Sequence, residues 1–225
     1  MCGGPTVVKA SSLLCDSLSA LALTGACAIS MAGLALGGTC DPSTVAVDTT
    51  GWRQSVSAMW GSAPGQTFVA EDSVITAITV WRIPPQDTSL SDFKLWIVDI
   101  DSTGRPQNNR VVYDGPSLRG IIGDGMHPVE IRFDLDPPAI LPRRGVFAFM
   151  VQNVCEWFFD LLVQEETYKD GKLWRSEIAH PEYGCTMWTI FDHWDEYDLC
   201  FKIEFCDATT PTRRSSWGRV KSIYR

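Results

Sequence analysis

Aromatic side chains are concentrated between residues 157 and 197, where acidic side chains stand among them. Trp157, Trp188, Trp194 and Tyr197 are the candidate ligand contacts, and the last three lie close to the acidic stretch 192–196. Aromatic faces stack on the C–H faces of sugars, while carboxylates and amides bind their hydroxyl groups. The pattern therefore predicts a glycan-binding surface. The alternative is an aromatic cluster that only fills a small core.

A second pattern places oxygen ligands at alternate positions, Asp99 and Asp101, followed by Thr103 and Gly104. Calcium loops begin in this way. A full loop needs an acidic ligand where Arg110 stands, so a plain hairpin turn competes with this interpretation. Asp99 and Asp101 are the candidate metal ligands, and a structural calcium ion is the one cofactor that the sequence suggests.

Catalytic patterns are weak in this chain. No Gly-x-Ser-x-Gly nucleophile motif occurs, and His127, His180 and His193 are scattered. The neighbouring carboxylates at 165–166 and 195–196 fit solvated surface charge, because a glycoside hydrolase needs two carboxyl groups that face each other across a cleft. The sequence therefore favours a protein without catalytic activity, and a hydrolase is the least favoured alternative.

Four cysteines are candidates for disulfide bonds: Cys155, Cys185, Cys200 and Cys206. An even set in an exported domain favours disulfides over a metal site, and no Cys-x-x-Cys motif occurs. Cys200 and Cys206 share one predicted strand and lie about 20 Å apart along it, too far to bridge each other. Each is expected to pair elsewhere or to stay free, and Cys155 with Cys185 is a candidate bridge.

Residues 17–40 carry no charged side chain and are rich in Ala, Leu and Gly. Such a run predicts an export signal, in the first instance a cleaved signal peptide. An uncleaved membrane anchor and a lipidated Cys40 are the alternatives, since the run is long enough to cover a hydrocarbon core. The protein is therefore expected at the cell surface or outside the cell.

Charge is distributed unevenly along the chain, whose formal net charge is −8. The tail 207–225 holds five basic residues against Asp207, so it carries +4 and residues 1–206 carry −12. An acidic body repels phosphates, so no nucleic-acid partner is expected. The tail is either an unstructured or docked terminus, or a peptide that contacts a membrane or a partner. Membrane contact is expected only through residues 17–40 or through this tail.

Apolar residues recur with period two from Trp52 to Cys206, and turn residues interrupt them about every ten positions. This pattern predicts an all-β, antiparallel β-sandwich of jelly-roll type over residues 41–206, between the N-terminal segment 1–40 and the tail 207–225. Residues 146–151 are apolar on both faces and are placed in the middle of a sheet. In the last predicted strand, Cys200 and Cys206 are expected to face outward. The predicted strands are 66–70, 74–83, 93–99, 111–114, 129–135, 146–151, 158–165 and 199–206.

Several local motifs resemble a known group of domains. They are the Gln-Thr-Phe strand at 65–70, the strand that ends in Trp81, Leu-Trp-Ile-Val at 95–98, the turn at 101–106, and the Pro-Arg-Arg-Gly turn and strand at 141–149. Together they resemble secreted bacterial jelly-roll domains of poorly characterised function, of the choice-of-anchor and carbohydrate-binding-module type. The resemblance covers residues 52–206 and implies an exported, surface-associated sandwich with no catalytic residues to transfer. The predicted function is a glycan- or surface-binding adhesion module. The alternative is a structural subunit of an extracellular assembly, with copies of this chain as partners.

Overall fold

The computed structural model describes residues 41–58, 61–84, 92–119, 123–154, 159–165, 167–176 and 189–207. These residues form thirteen β-strands and no helix. Accordingly, no membrane-spanning helix is found in this part of the chain. The predicted export segment, the tail beyond Asp207, Cys155, Cys185, Trp157 and Trp188 lie outside the described residues.

The strands are β1 (Asp41–Val47), β2 (Gln54–Ala58), β3 (Pro64–Ala70), β4 (Val74–Arg82), β5 (Asp92–Ile100), β6 (Pro106–Arg119), β7 (Val129–Ile140), β8 (Gly145–Asn153), β9 (Phe159–Glu165), β10 (Leu173–Ser176), β11 (Ile190–Trp194), β12 (Tyr197–Leu199) and β13 (Phe201–Asp207).

Eight of the strands pair like one long hairpin that is rolled up on itself. β1 pairs with β13, β3 with β8, β4 with β7, and β5 with β6, and all four pairs are antiparallel. Further pairing joins them into two rows, β1-β13-β4-β7 and β3-β8-β5-β6. This is the strand order of a jelly roll, so the predicted antiparallel β-sandwich is confirmed.

Five short strands extend the two sheets. β2, β9 and β12 join the β4 sheet, and β10 and β11 join the sheet that contains β3. β9 lies between β2 and β12, because Val163 is the register partner of Gln54 on one side and of Leu199 on the other. Four of these strands, β2, β10, β11 and β12, were not predicted from the sequence, and neither was β1.

Alternating burial is clearest in β7. Val129, Ile131, Phe133 and Leu135 are buried, while the side chains between them lie toward solvent. The row of apolar residues packs into the main core between the two sheets. The half-buried strand predicted at 129–135 is therefore confirmed.

β8 is the central strand of the second sheet and lies between β3 and β5. Phe147, Phe149 and Val151 point into the main core. Ala148 and Met150 belong to a smaller apolar cluster on the opposite face of the strand. Both faces of β8 are covered, as its continuous apolar sequence predicts.

Cys200 is buried, which corrects the expectation that it faces outward. It stands between β12 and β13, where Leu199, Cys200 and Phe201 are buried in succession and the period-two alternation is interrupted. Its backbone N–H donates to the carbonyl of Leu162 at 2.9 Å. Cys200 is a free thiol, so its candidacy for a disulfide was wrong. Cys206 does have an interaction partner, and a disulfide there stays a prediction.

Candidate functional site

The turn Asp195–Glu196 carries the chain from one sheet to the other, because it connects β11 to β12. Trp194 precedes this turn and Tyr197 follows it. Their rings meet edge to face, with centroids 5.9 Å apart and planes at 65°. Both rings are half-buried and pack against the main core. Two of the four predicted ligand contacts are thus brought together.

Gln54 connects this aromatic pair to a distant part of the chain. Its Nε2 donates a hydrogen bond of 2.7 Å to the hydroxyl of Tyr197. The two residues begin β2 and β12, which flank β9 and pair with Val163 and Glu165 of that strand. Cross-strand partners share a face of the sheet. The site therefore lies where this face of β9 passes from buried Val163 to exposed Glu165.

Two depressions adjoin at Gln54 and Tyr197, which line both of them. One, the Trp194 depression, has a volume of about 430 Å³, and the other, the Arg53 depression, has a volume of about 420 Å³. Both volumes are typical of sites for small ligands. The Trp194 depression is lined by Gln54, His193, Trp194, Asp195, Glu196 and Tyr197. The Arg53 depression is lined by Thr50, Gly51, Arg53, Gln54, Val163, Gln164, Glu165, Thr167 and Tyr197.

Arg175 on β10 holds the Trp194 indole in place. Its guanidinium lies over the ring, 4.3 Å from the centroid. Asp192 fixes the guanidinium in turn, with Nη2 and Oδ2 3.1 Å apart. The backbone N–H of His193, together with Arg175, keeps the pKa of Asp192 below its usual value. This arrangement orients the indole before any ligand arrives.

Asp195 is an ionised acceptor on the rim of the Trp194 depression. Lys172 Nζ lies 2.5 Å from its Oδ1, and His193 Nε2 lies 3.4 Å from its Oδ2. The hydrogen bond from Lys172 lowers the pKa of Asp195 below its ordinary value. The carboxylate is therefore charged at neutral pH and can accept hydrogen bonds from hydroxyl groups.

Asp198 follows Tyr197 in β12 and is 1% exposed. Its hydrogen bonds attach β12 to neighbouring segments of the chain. Its Oδ1 accepts a 2.7 Å bond from Gln66 Nε2, and its Oδ2 accepts the backbone N–H groups of Thr167 at 2.9 Å and Tyr168 at 2.8 Å. Gln66 Oε1 accepts the N–H of Leu199 at 3.1 Å. This buried network fixes the position of the strand that presents Tyr197.

The predicted metal ligands Asp99 and Asp101 are engaged elsewhere. Arg143 Nη2 and Arg110 Nη2 each lie 2.7 Å from the Asp99 carboxylate. Asp101 closes its own turn by accepting the backbone N–H of Thr103 at 2.8 Å. Among the described residues, no group of three or more His, Cys, Asp or Glu side chains could hold a metal ion. The geometry therefore favours the alternative, a plain turn, over a calcium site.

Arg53, Gln54 and Glu165 line the site but were not among the candidate residues from the sequence. Gln54 lies 143 residues from Tyr197 along the chain, and only the pairing of β2 and β12 with β9 brings the two together. No local sequence motif around Gln54 predicts this contact. Glu165 was assigned to solvated surface charge, which agrees with its exposure but does not reveal its position beside Tyr197.

No protein-family model matches the chain, and no curated protein matches it. Among solved structures, it is similar to the cysteine protease and lectin-like domains of Cwp84, a surface-layer-associated protein of Clostridium difficile. The identity is 10% and the TM-score 0.42, over 68% of this chain and 36% of that one. A variant of the same clostridial protease after propeptide cleavage is similar at 9% identity and a TM-score of 0.47, over 75% of this chain and 41% of that one. The chain thus spans well under half the length of these two solved proteins.

Proposed function

We propose that this domain is a glycan-binding module without catalytic activity, and that the Trp194 depression is its binding site. One observation carries the proposal. The rings of Trp194 and Tyr197 are fixed at 65° to each other beside a depression that Asp195, Glu196 and Gln54 also line. Flat apolar faces and polar acceptors meet there on one small surface, which is the combination that sugars require.

The surroundings of the two rings favour tight binding. Arg175 and Gln54 hold Trp194 and Tyr197 in position through contacts that exist without a ligand. Side chains that are already ordered lose less conformational entropy when a ligand binds. A prearranged aromatic pair is therefore better suited to recognition than a pair of mobile surface rings.

The place of action proposed for this module is the cell surface or the space outside the cell. The uncharged run at residues 17–40 supports this location, because such runs direct chains into the export pathway. In that setting, the ligand would be a glycan of the cell envelope or of another surface. The positive charge of the tail 207–225 favours contact with an anionic membrane.

Assembly through a free strand edge has less support. β6 forms one end of its sheet, and Pro106, Pro116, Arg110 and Arg119 interrupt or charge it. Its register with β5 also shifts three times. Natural edge strands use prolines, charges and bulges to avoid pairing with other chains. These features disfavour polymerisation through the β6 edge.

The proposal is tested by screening the domain on a glycan array and then measuring the strongest ligand by isothermal titration calorimetry. Trp194→Ala should weaken binding at least about tenfold, because it removes the stacking surface. Trp96→Ala is the matched control, since Trp96 is also half-buried and has a cation, Lys94 Nζ, 4.1 Å from its ring. The proposal fails if no glycan binds, or if the two variants bind alike.

A further inference from the structure

We infer that the ligand spans both depressions and carries a carboxylate on the sugar unit that lies beside Arg53. The ligand class is then an oligosaccharide of two or more units that contains an acidic sugar. This inference rests on the proposed glycan-binding function. It adds the length, the charge and the direction of the bound chain.

The length of the ligand follows from the two side chains that the depressions share. Gln54 and Tyr197 line both depressions, so a chain bound over Trp194 enters the Arg53 depression as soon as it extends past Tyr197. The hydrogen bond to Tyr197 uses one of the two N–H donors of the Gln54 amide. The second N–H and the amide oxygen give this side chain further hydrogen-bonding capacity for neighbouring sugar units.

The charge follows from Arg53. Within the described part of the chain, it is the arginine for which the structure shows neither an ion pair nor a side-chain hydrogen bond. The other arginines all have such partners or other contacts. Arg53 is exposed, so its guanidinium is accessible to a ligand. A guanidinium binds a carboxylate through two parallel hydrogen bonds, and here it lines a depression of suitable volume.

The same depression offers partners for the rest of a sugar ring. Thr50 and Thr167 contribute to its lining, as do Gln164 and Glu165. The Oε1 atom of Gln164 is buried and has no hydrogen-bond partner among the described residues. Buried acceptors are almost always satisfied, so a small reorientation of this amide toward a ligand hydroxyl would complete its bonding.

The direction follows from the unequal charges of the two depressions, because Arg53 offsets Glu165 in one of them and Asp195 and Glu196 line the other. Asp195 and Glu196 line the Trp194 depression and disfavour a ligand carboxylate there. Glu165 lines the Arg53 depression and limits the ligand to one well-placed carboxylate rather than a dense polyanion. The acidic unit is therefore directed to Arg53, and a neutral unit stacks on Trp194.

The experiment uses the full chain and matched pairs of tetrasaccharides that are identical except that one glucose unit is replaced by glucuronate. Calorimetry should show that the wild-type protein prefers the acidic member about tenfold, since one charge-assisted pair distinguishes the two. Arg53→Gln should abolish that preference, because it removes the charge that distinguishes the acidic member from the neutral one. Arg119→Gln, an exposed arginine on β6, is the control and should keep the preference.

The outcomes separate this inference from the function on which it rests. If neutral and acidic members bind equally and Arg53→Gln changes neither, glycan binding stands and the acidic-sugar inference is overturned. If Arg53→Gln weakens the binding of both members alike, Arg53 does not recognise the ligand carboxylate, and the inference is also overturned. If Trp194→Ala leaves both affinities unchanged, the proposed site itself is wrong.

Discussion

Gln54 and Tyr197 are joined by a side-chain hydrogen bond of 2.7 Å, although 143 residues separate them along the chain. The bond forms because β2 and β12 lie on opposite sides of β9. It fixes the wall between the two depressions and holds the Tyr197 ring at a set angle to Trp194. The pairing of two distant strands with β9 thus brings together the two side chains that separate the depressions.

Removing the Tyr197 hydroxyl tests this relationship. Tyr197→Phe keeps the ring but loses the acceptor for Gln54, and we expect glycan affinity to fall about three- to tenfold, the typical worth of one hydrogen bond. Tyr113→Phe is the matched control, because the Tyr113 hydroxyl donates a 3.0 Å bond to the carbonyl of Pro137. Calorimetry on both variants decides the matter. Equal affinities in the two variants would mean that the Gln54–Tyr197 bond has no part in binding.

The buried carboxylate of Asp198 should matter for stability more than any exposed acid at the site. Asp198→Ala leaves Gln66 Nε2 and two backbone N–H groups without their acceptor. We expect the free energy of unfolding to fall by about 2–4 kcal/mol, measured by urea denaturation. Asp195→Ala, at an exposed position, should leave the free energy of unfolding almost unchanged. Similar losses in both variants would refute the anchoring role of Asp198.

Glu204 on β13 gives a prediction about pH. Arg132 donates two 2.8 Å hydrogen bonds to its carboxylate, and this lowers the Glu204 pKa to about 2, from an ordinary value of 4.5. A lowered folded-state pKa stabilises the fold above the unfolded value, and this contribution is lost as the pH falls from 4.5 toward about 2.

The corresponding variant is Glu204→Gln. At neutral pH it should be less stable than the wild-type protein by about 1 kcal/mol, since both partners are partly exposed to solvent. The difference in stability should shrink as the pH falls from 4.5 toward about 2, because the wild-type carboxyl then takes up a proton. Urea denaturation over this pH range measures the difference. A gap that stays constant down to the lowest pH would contradict the assignment.

The thiol of Cys200 should be unreactive toward alkylating reagents in the folded protein. Burial raises the pKa of its thiol to about 12, and the thiolate is the reactive form. Iodoacetamide should therefore leave Cys200 unmodified under native conditions and label it once the chain is unfolded in urea, as read by peptide mass spectrometry. Complete labelling of the native protein would show that the segment between β12 and β13 opens readily.

Strands with a strong local pattern were predictable from the sequence. Residues 129–135 alternate strictly between apolar and polar, and residues 146–151 are apolar throughout, so burial of one face or of both could be inferred from neighbours alone. β2 and β12 are short and carry polar residues at their starts. Their pairing with β9 depends on contacts between distant segments, which no local pattern records.

The candidate site was predictable to the same extent. Trp194 and Tyr197 were identified because they lie within a few residues of each other and of acidic side chains. Arg53 and Gln54 carry no comparable local signal. The contacts of the predicted metal ligand Asp99 were not predictable for the same physical reason. Ligand-like spacing cannot reveal that Arg143, which is 44 residues away, occupies the carboxylate.

The most direct test of the central claim is a two-dimensional ¹H–¹⁵N NMR titration of the isotope-labelled protein with the strongest array glycan. Binding at the Trp194 depression predicts that the indole N–H signal of Trp194 and the side-chain amide signals of Gln54 shift progressively with ligand, while the Trp96 indole signal stays in place. Shifts confined to residues outside the two depressions, with the Trp194 and Gln54 signals unchanged at saturation, would contradict the assignment of the site.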